Sequence, residues 1–376
     1  MITEPTKALE YLFHPKSIAV AGASANPQNL GSRTLKLIKD FGFEGSIYAV
    51  NPKAESSSGA LGYSRVADLP EAVDLCFVVV PARAAVSVIE DCSVKGVPVA
   101  QVLTGGFGET GRSGQDAERR MVEAAAGRTR LVGPNCLGVY SPGSLITLAA
   151  SADPRLGDVG IASQSGGLSI DIILQARARG LKLSKLVSIG NCMDLDPVDF
   201  LNYFAVDEQT RVIGMYIEGL NRGRDFLVAL RKVAPHKPVV ILKGGRTGQG
   251  AKSVASHTNS LAGDFTIWET AADQTGVLLA KNVDDFLATL TALQPHIPRP
   301  AGRGLALVGN GGGSTVLATD LSEELGLHLA ELASDSKKQL AEIQMPPGST
   351  VGNPTDIPVG ALNKAGGESM GRVIET

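Results

Sequence analysis

Aromatic residues are scarce, at 5% of the 376-residue chain. That argues against a base-stacking nucleic-acid binder, which needs exposed aromatic faces. Charge of one sign is also missing, with a formal net charge of -3. No electrostatic field would draw in nucleic acid or an acidic membrane. There are four cysteines, Cys76, Cys92, Cys136 and Cys192, and none forms a CxxC pair. Neither a zinc site nor a disulfide framework is indicated, and no metal-ligand set is assigned. Long apolar runs are absent too: the longest candidate, around Cys76–Ile89, is broken by Pro81 and Arg83. The Met1–Lys7 segment has no basic stretch followed by an apolar one. These absences lead to an expectation of a cytoplasmic protein with no membrane and no nucleic-acid partner.

The abundant residue is glycine, with 44 copies, beside a 43% hydrophobic content. Many tight turns and close backbone approaches are expected, over sizeable cores. Short β-branched runs alternate with helix-length amphipathic segments. Strand patterns fall at Ser17–Gly22, Ser46–Asn51, Asp74–Val80, Val97–Leu103 and Arg130–Gly133, with helices between them. The alternation resumes at Gly160–Ser163, Lys185–Ile189, Val212–Ile217 and Pro238–Leu242. Such βα alternation implies parallel, doubly wound sheets. The expected fold class is α/β: a Rossmann-like domain over 1–145, then a flavodoxin-like domain over 146–295. A proline-rich linker, Gln294–Gly302, leads to a third α/β unit over 303–376, expected to be partial.

Candidate ligand loops sit at strand ends, where parallel sheets bind ligands. The Gly22–Gly31 turn follows the first strand, with Ser24 in place of a second fingerprint glycine. It can cradle a phosphate or be an ordinary βα turn. The second strand ends on Asn51-Pro52-Lys53 rather than on an acid. A lysine suits a phosphorylated ribose, hence NADP or coenzyme A, unless it is simply solvated. Val80-Pro81, Thr104-Gly105 and Gly133–Gly138, with Asn135, end further strands. Ser165 and Gly166 open a helix whose N-terminus suits a phosphate or carboxylate. A serine-nucleophile reading of Ser165 fails, because the context is not GxSxG.

The chain has five histidines, and His257 stands in a run of small and polar residues after the Pro238–Leu242 strand. The run reads as a loop with glycine hinges, from which a histidine could carry a covalent group. Glu218, just past an apolar strand, is either a surface acid or the carboxylate that fixes the tautomer of such a histidine.

Taken in order, Ile18–Ser24, Tyr48–Lys53, Gly133–Gly138, Ser163–Gly166, Tyr216–Gly219 and Ser256–Thr258 with Leu261–Gly263 resemble the NDP-forming acyl-CoA synthetases. The likeness is strongest to the α-subunit-like half of ADP-forming acetyl-CoA synthetases, relatives of succinyl-CoA synthetase. The resemblance implies that His257 is phosphorylated and that Glu218 steadies it. It implies a phosphate site at Ser165 and Gly166, with Asn135 near the thioester. Coenzyme A would lie along Gly22, Ser24, Asn51, Pro52, Lys53, Val80, Pro81, Thr104 and Gly105. The implied reaction converts acyl-CoA, phosphate and ADP to carboxylate, CoA and ATP. ADP or ATP with Mg2+ would bind an ATP-grasp partner subunit or domain, for which this sequence shows no candidate, and an oligomer is expected. One departure is Asn259, where the family has glycine after Ser-His-Thr. The alternatives are a CoA-binding regulator of the same fold and an NADP-dependent oxidoreductase.

Overall fold

The computed structural model describes residues 4–150, 152–258, 264–294, 302–358, 360 and 368–376, with backbone alone at 4, 5, 255–258 and 369. Two compact units divide the chain, 1–297 and 298–376.

The first unit holds two six-stranded sheets. In one, β1 (Ser17–Ala21), β2 (Ser46–Val50), β3 (Leu61–Tyr63), β4 (Leu75–Val78), β5 (Val99–Val102) and β6 (Arg130–Val132) run in the order 3-2-1-4-5-6. Every pairing is parallel. This is the Rossmann order, with its crevice between β1 and β4. Helices α2 (Leu30–Phe41), α3 (Ala82–Lys95) and α4 (Arg112–Ala125) supply crossovers. Strands β1, β4 and β5 are buried at every position, as covering on both faces demands.

The second sheet contains β7 (Val139–Tyr140), β8 (Val159–Ser163), β9 (Leu183–Ser188), β10 (Val212–Ile217), β11 (Val239–Lys243) and β12 (Leu278–Ala280). Its order is 12-11-10-8-9-7. Counted from β8, the parallel strands read 2-1-3-4-5, the flavodoxin order, with a switch point between β8 and β10. The edge strand β7 pairs antiparallel to β9. Parallel alternation alone does not foresee it. Helices α5 (Gly166–Ala178), α6 (Pro197–Val206), α7 (Gly223–Val233), α8 (Gly248–Thr258), α9 (Phe265–Thr275) and α10 (Val283–Ala292) complete this half.

The N-terminal helix α1 (Glu4–Phe13) joins the halves. Its Phe13 stacks on Tyr203 of α6 at 5.0 Å and tilts against Phe204 at 5.9 Å. One apolar core runs from α1, β1 and β4 into β8, β9, α6 and β10.

The second unit, by itself, pairs β13 (Gly304–Leu305) with β15 (His328–Leu329), and β14 (Val308–Gly309) with β16 (Thr355–Asp356), all parallel. Helices α11 (Gly312–Glu324), α12 (Ser334–Glu342) and α13 (Glu368–Glu375) accompany them. Leu340, Ile343, Ile357 and Val373 form its small core.

Candidate active site

The glycine-rich turn after β1 is packed so tightly that two of its positions admit no side chain. Gly22 adopts φ 104°, and a Cβ there would lie 2.2 Å from the Val79 carbonyl oxygen. Gly31, in the first turn of α2, would place a Cβ 2.5 Å from the Gly22 carbonyl carbon. The helix end therefore presses directly on the turn, the packing that the third fingerprint glycine permits. Asn29 caps α2 through its side chain. Ser24 is held by Ser32: its N–H donates to Ser32 Oγ at 3.0 Å, and Ser32 Oγ donates to its carbonyl at 2.8 Å.

Asn51 ties this turn to the next. Its buried Nδ2 donates to the carbonyls of Ala23 and Glu55, both at 2.8 Å. Its Oδ1 accepts from the N–H groups of Lys53 and Glu55, both at 3.1 Å. All four ordinary bonds of the amide are thus spent inside the protein. The side chain therefore shapes the cleft from within, bracing the two turns against each other. Pro52 and Lys53 sit on the tip that Asn51 braces, and the Lys53 side chain is 79% exposed. Val80 and Pro81 lie past β4, where Pro81 caps α3. Thr104 Oγ1 donates to the Val80 carbonyl at 2.7 Å, joining the β4 and β5 ends.

Asn135, Ser165 and Gly166, far apart in sequence, meet at one cavity of about 320 Å³. Its walls are the Asn135–Leu137 and Gln164–Gly167 segments, Gly190 and Asn191. Gly190 makes the closeness possible: at φ 54°, its Cβ would fall 2.0 Å from the Pro134 carbonyl oxygen. Asn191 N–H donates to that same oxygen at 3.0 Å. Ser165 caps α5, its Oγ accepting from Leu168 N–H at 3.3 Å. The α5 N-terminus thus borders the cavity with the positive end of its dipole. Cys136 also lines the cavity, but burial pushes its thiol up to about 12. It remains a neutral thiol at physiological pH and is no nucleophile there.

Glu218 stands at the neighbouring strand end and is buried, 5% exposed. Its Oε1 accepts from Tyr216 OH at 3.1 Å. Gln164 grips the backbone beside it: Oε1 accepts from Glu218 N–H at 2.5 Å and Gly219 N–H at 3.0 Å. Gln164 Nε2 returns a bond to the Gly219 carbonyl at 3.0 Å. Lys243 Nζ donates to the Glu218 carbonyl at 2.8 Å and also to Gly244. Burial lowers the Lys243 pKa against the opposing pull of Glu218.

The expected loop around His257 is corrected: Gly248–Thr258 forms the helix α8, with His257 in its last turn. Helix α8 packs against the Gly108–Thr110 turn, which borders the Asn135 loop. Asn259, Leu261, Ala262 and Gly263 lie outside the described residues. Asn191, Gln164, Tyr216, Glu109 and Glu118 were not anticipated. The first had a signal, since Gly190-Asn191 ends a strand as Gly133–Asn135 does. Gln164 and Tyr216 lie in the Ser163–Gly166 and Tyr216–Gly219 segments but carried no role there, and Glu109 and Glu118 act through contacts with no sequence spacing to betray them.

The family model described as "CoA binding domain" matches residues 16–142, and "Succinyl-CoA ligase like flavodoxin domain" matches 156–293. The α subunit of ADP-forming acetate–CoA ligase I from Pyrococcus furiosus is 39% identical over 356 residues, covering 93% of this chain and 76% of that one. This chain belongs to the ADP-forming acetate–CoA ligase family. Within the family, the Archaeoglobus fulgidus acetate–CoA ligase [ADP-forming] I is 37% identical over 98% of this chain, which spans 52% of that longer protein. Among solved ligases, acetyl-coenzyme A synthetase 1 of Ca. Korarchaeum cryptofilum, in complex with phosphate and ADP, superposes with a TM-score of 0.82 at 37% identity. That match covers 93% of this chain and 76% of the other. The ligase is thus of the α-subunit type. Among its described residues, no helix is long and apolar enough to cross a membrane.

Proposed function

We propose that this ligase interconverts acyl-CoA and phosphate with acyl phosphate and CoA in the Asn135–Ser165 cavity. A phosphate oxygen attacks the thioester carbonyl, the C–S bond breaks, and CoA leaves as the thiolate. His257 then attacks phosphorus, the acyl O–P bond breaks, and carboxylate departs. ADP takes the phosphoryl group from phospho-His257 in an ATP-grasp partner subunit or domain, where Mg2+ enters with the nucleotide. Residues 1–145 serve as the CoA domain, 146–295 as the histidine-bearing flavodoxin-like domain and 303–376 as a third α/β domain.

The observation that carries this reading is the convergence of Asn135, Ser165 and Gly166 on one cavity, whose Gln164 also grips the backbone of buried Glu218. A helix N-terminus and fixed amides suit a reaction that is mostly positioning and charge stabilisation. Coenzyme A fits the first sheet: the Gly22–Gly31 turn suits its pyrophosphate, and exposed Lys53 its ribose 3′-phosphate. In this reading Glu218 orients the imidazole and stabilises its phosphorylated, cationic form.

The test is CoA release from a panel of acyl-CoA thioesters, including acetyl-CoA, with phosphate or arsenate and no nucleotide. Arsenate replaces phosphate as the attacking oxyanion, and the acyl arsenate hydrolyses, which draws the step forward. CoA release that depends on the oxyanion supports the proposal; its absence for every thioester contradicts it.

A further inference from the structure

Asn191 shares the Asn135–Ser165 cavity, and its amide is oriented by two acids from outside it. Its Nδ2 donates to Glu109 Oε2 and to Glu118 Oε1, both at 2.7 Å. Carboxylates only accept, so these two bonds decide which way the Asn191 amide faces. Its Oδ1 is thereby turned toward Asn135, whose Nδ2 donates to it at 3.4 Å. Asn135 is in turn fixed through its backbone, its N–H donating to the Thr104 carbonyl at 3.0 Å. Its Oδ1 lies 3.0 Å from where a Cβ on Gly105 would stand, and Glu109 Oε1 lies 3.2 Å from the same point. Glu109, Gly105, Asn135 and Asn191 therefore form one tight cluster at the cavity edge.

The two acids are held differently. Glu109 Oε1 accepts from Gly106 N–H at 2.5 Å and Phe107 N–H at 3.1 Å, and its other oxygen serves Asn191. Burial raises the Glu109 carboxyl, but the bonds from Asn191, Gly106 and Phe107 outweigh it and hold the acid below its usual range. Glu118 uses one oxygen, Oε1, for both Asn191 and the Gly108 N–H at 3.0 Å. Its carboxyl is raised by burial and by the charge of Glu109.

We propose that Asn191 is a positioning residue of the acyl-transfer site, its amide aimed by Glu109 and Glu118 so that it holds the Asn135 side chain in place at the cavity. Glu109 is the stricter partner, because both its oxygens are committed as acceptors. The proposal rests on the reading of this cavity as the acyl-transfer site.

A pair of isosteric variants separates orientation from mere packing. Glu109→Gln has one acceptor oxygen where two are needed, so either the Gly106–Phe107 backbone or Asn191 loses its partner. Glu118→Gln can keep both bonds on its single amide oxygen. The assay is arsenate-dependent CoA release by the full chain, with the thioester that wild type turns over fastest. Because displaced catalytic groups cost up to about a hundredfold in rate, Asn191→Ala and Glu109→Gln should each lower kcat by about tenfold or more. KM for the thioester should stay within about twofold, since the charged groups of CoA are assigned to the Gly22–Gly31 turn and Lys53. Glu118→Gln should lose no more than about threefold. CoA binding measured by calorimetry verifies that each variant is folded. Wild-type kcat in Asn191→Ala overturns the proposal, as does a Glu118→Gln loss equal to that of Glu109→Gln. A wild-type chain that releases no CoA with any thioester overturns the reading of the site as well.

Discussion

Gln164 holds the backbone that carries Glu218: its amide oxygen accepts from the N–H groups of Glu218 and Gly219, at 2.5 and 3.0 Å. Its nitrogen closes the clasp on the Gly219 carbonyl. The two residues end β8 and β10, the strands that flank the flavodoxin switch point. A side chain from one strand thus fixes the acid of the other. Gln164→Leu fills similar space but leaves two N–H donors unmatched. Stability should fall by about 1–3 kcal/mol, the usual cost of a stranded donor. Urea unfolding measures it. A loss below a few tenths would mean that solvent or backbone replaces the clasp.

Gly31→Ala tests the turn proposed to hold the pyrophosphate of coenzyme A. A methyl group there meets the Gly22 and Ala23 backbone at 2.5–2.7 Å, and neither neighbour is a flexible side-chain tip. Overpacking of this kind typically costs about 1–3 kcal/mol. Calorimetric titration should show CoA affinity reduced by about tenfold or more, which corresponds to about 1.4 kcal/mol. Unchanged affinity would place CoA elsewhere.

Lys53→Ala tests the ribose-phosphate assignment. The exposed ammonium lies 3.9 Å from Glu55 Oε1, a loose pairing that a phosphate can outcompete. Affinity for CoA should drop by about three- to tenfold and become less salt-dependent. Affinity for 3′-dephospho-CoA should barely change. Equal losses for both ligands would remove the 3′-phosphate from this lysine.

His14 gives the fold a pH dependence of its own. Its Nδ1 bonds Ser144 Oγ at 2.9 Å. Burial and the charge of Lys185 lower its pKa from 6.5, against the weaker pull of Asp207. Between the folded pKa and 6.5 the unfolded chain binds a proton that the folded chain does not. The stability contribution therefore rises with pH through that window and levels off above it. Urea melts from about pH 5 to about pH 8 should show this slope in wild type, and a flatter profile in His14→Gln. An identical slope in both proteins would assign it to other groups.

The alternating β-branched runs and glycine turns were enough to read the inner strands of both parallel sheets, because strands buried on both faces leave continuous apolar segments. Asn135, Ser165 and Gly166 were legible for the same reason, since each follows a strand end. Helix α1 and the edge strands β3, β7 and β12 were not. Helix α1 is explained by Phe13 finding Tyr203 and Phe204, and β7 by an antiparallel pairing with β9. Strands β3 and β12 are short runs at sheet edges, part-exposed rather than buried on both faces. Segment Gly248–Thr258 reads as a loop by its glycines, yet it folds as a helix, with Val254 buried. Tertiary packing there overrides weak local propensity. Asn191 needed the fold, because its meaning comes from Glu109 and Glu118 on other elements.

Phosphorylation of His257 tests the account most directly. Wild-type protein incubated with acyl-CoA and radiolabelled phosphate should acquire label that is lost in acid and stable in base. Peptide mass spectrometry should place it on His257, and His257→Asn should remain unlabelled while still releasing CoA with arsenate. Equal labelling of His257→Asn, or a wild-type protein that releases CoA yet never carries phosphate, would contradict the account.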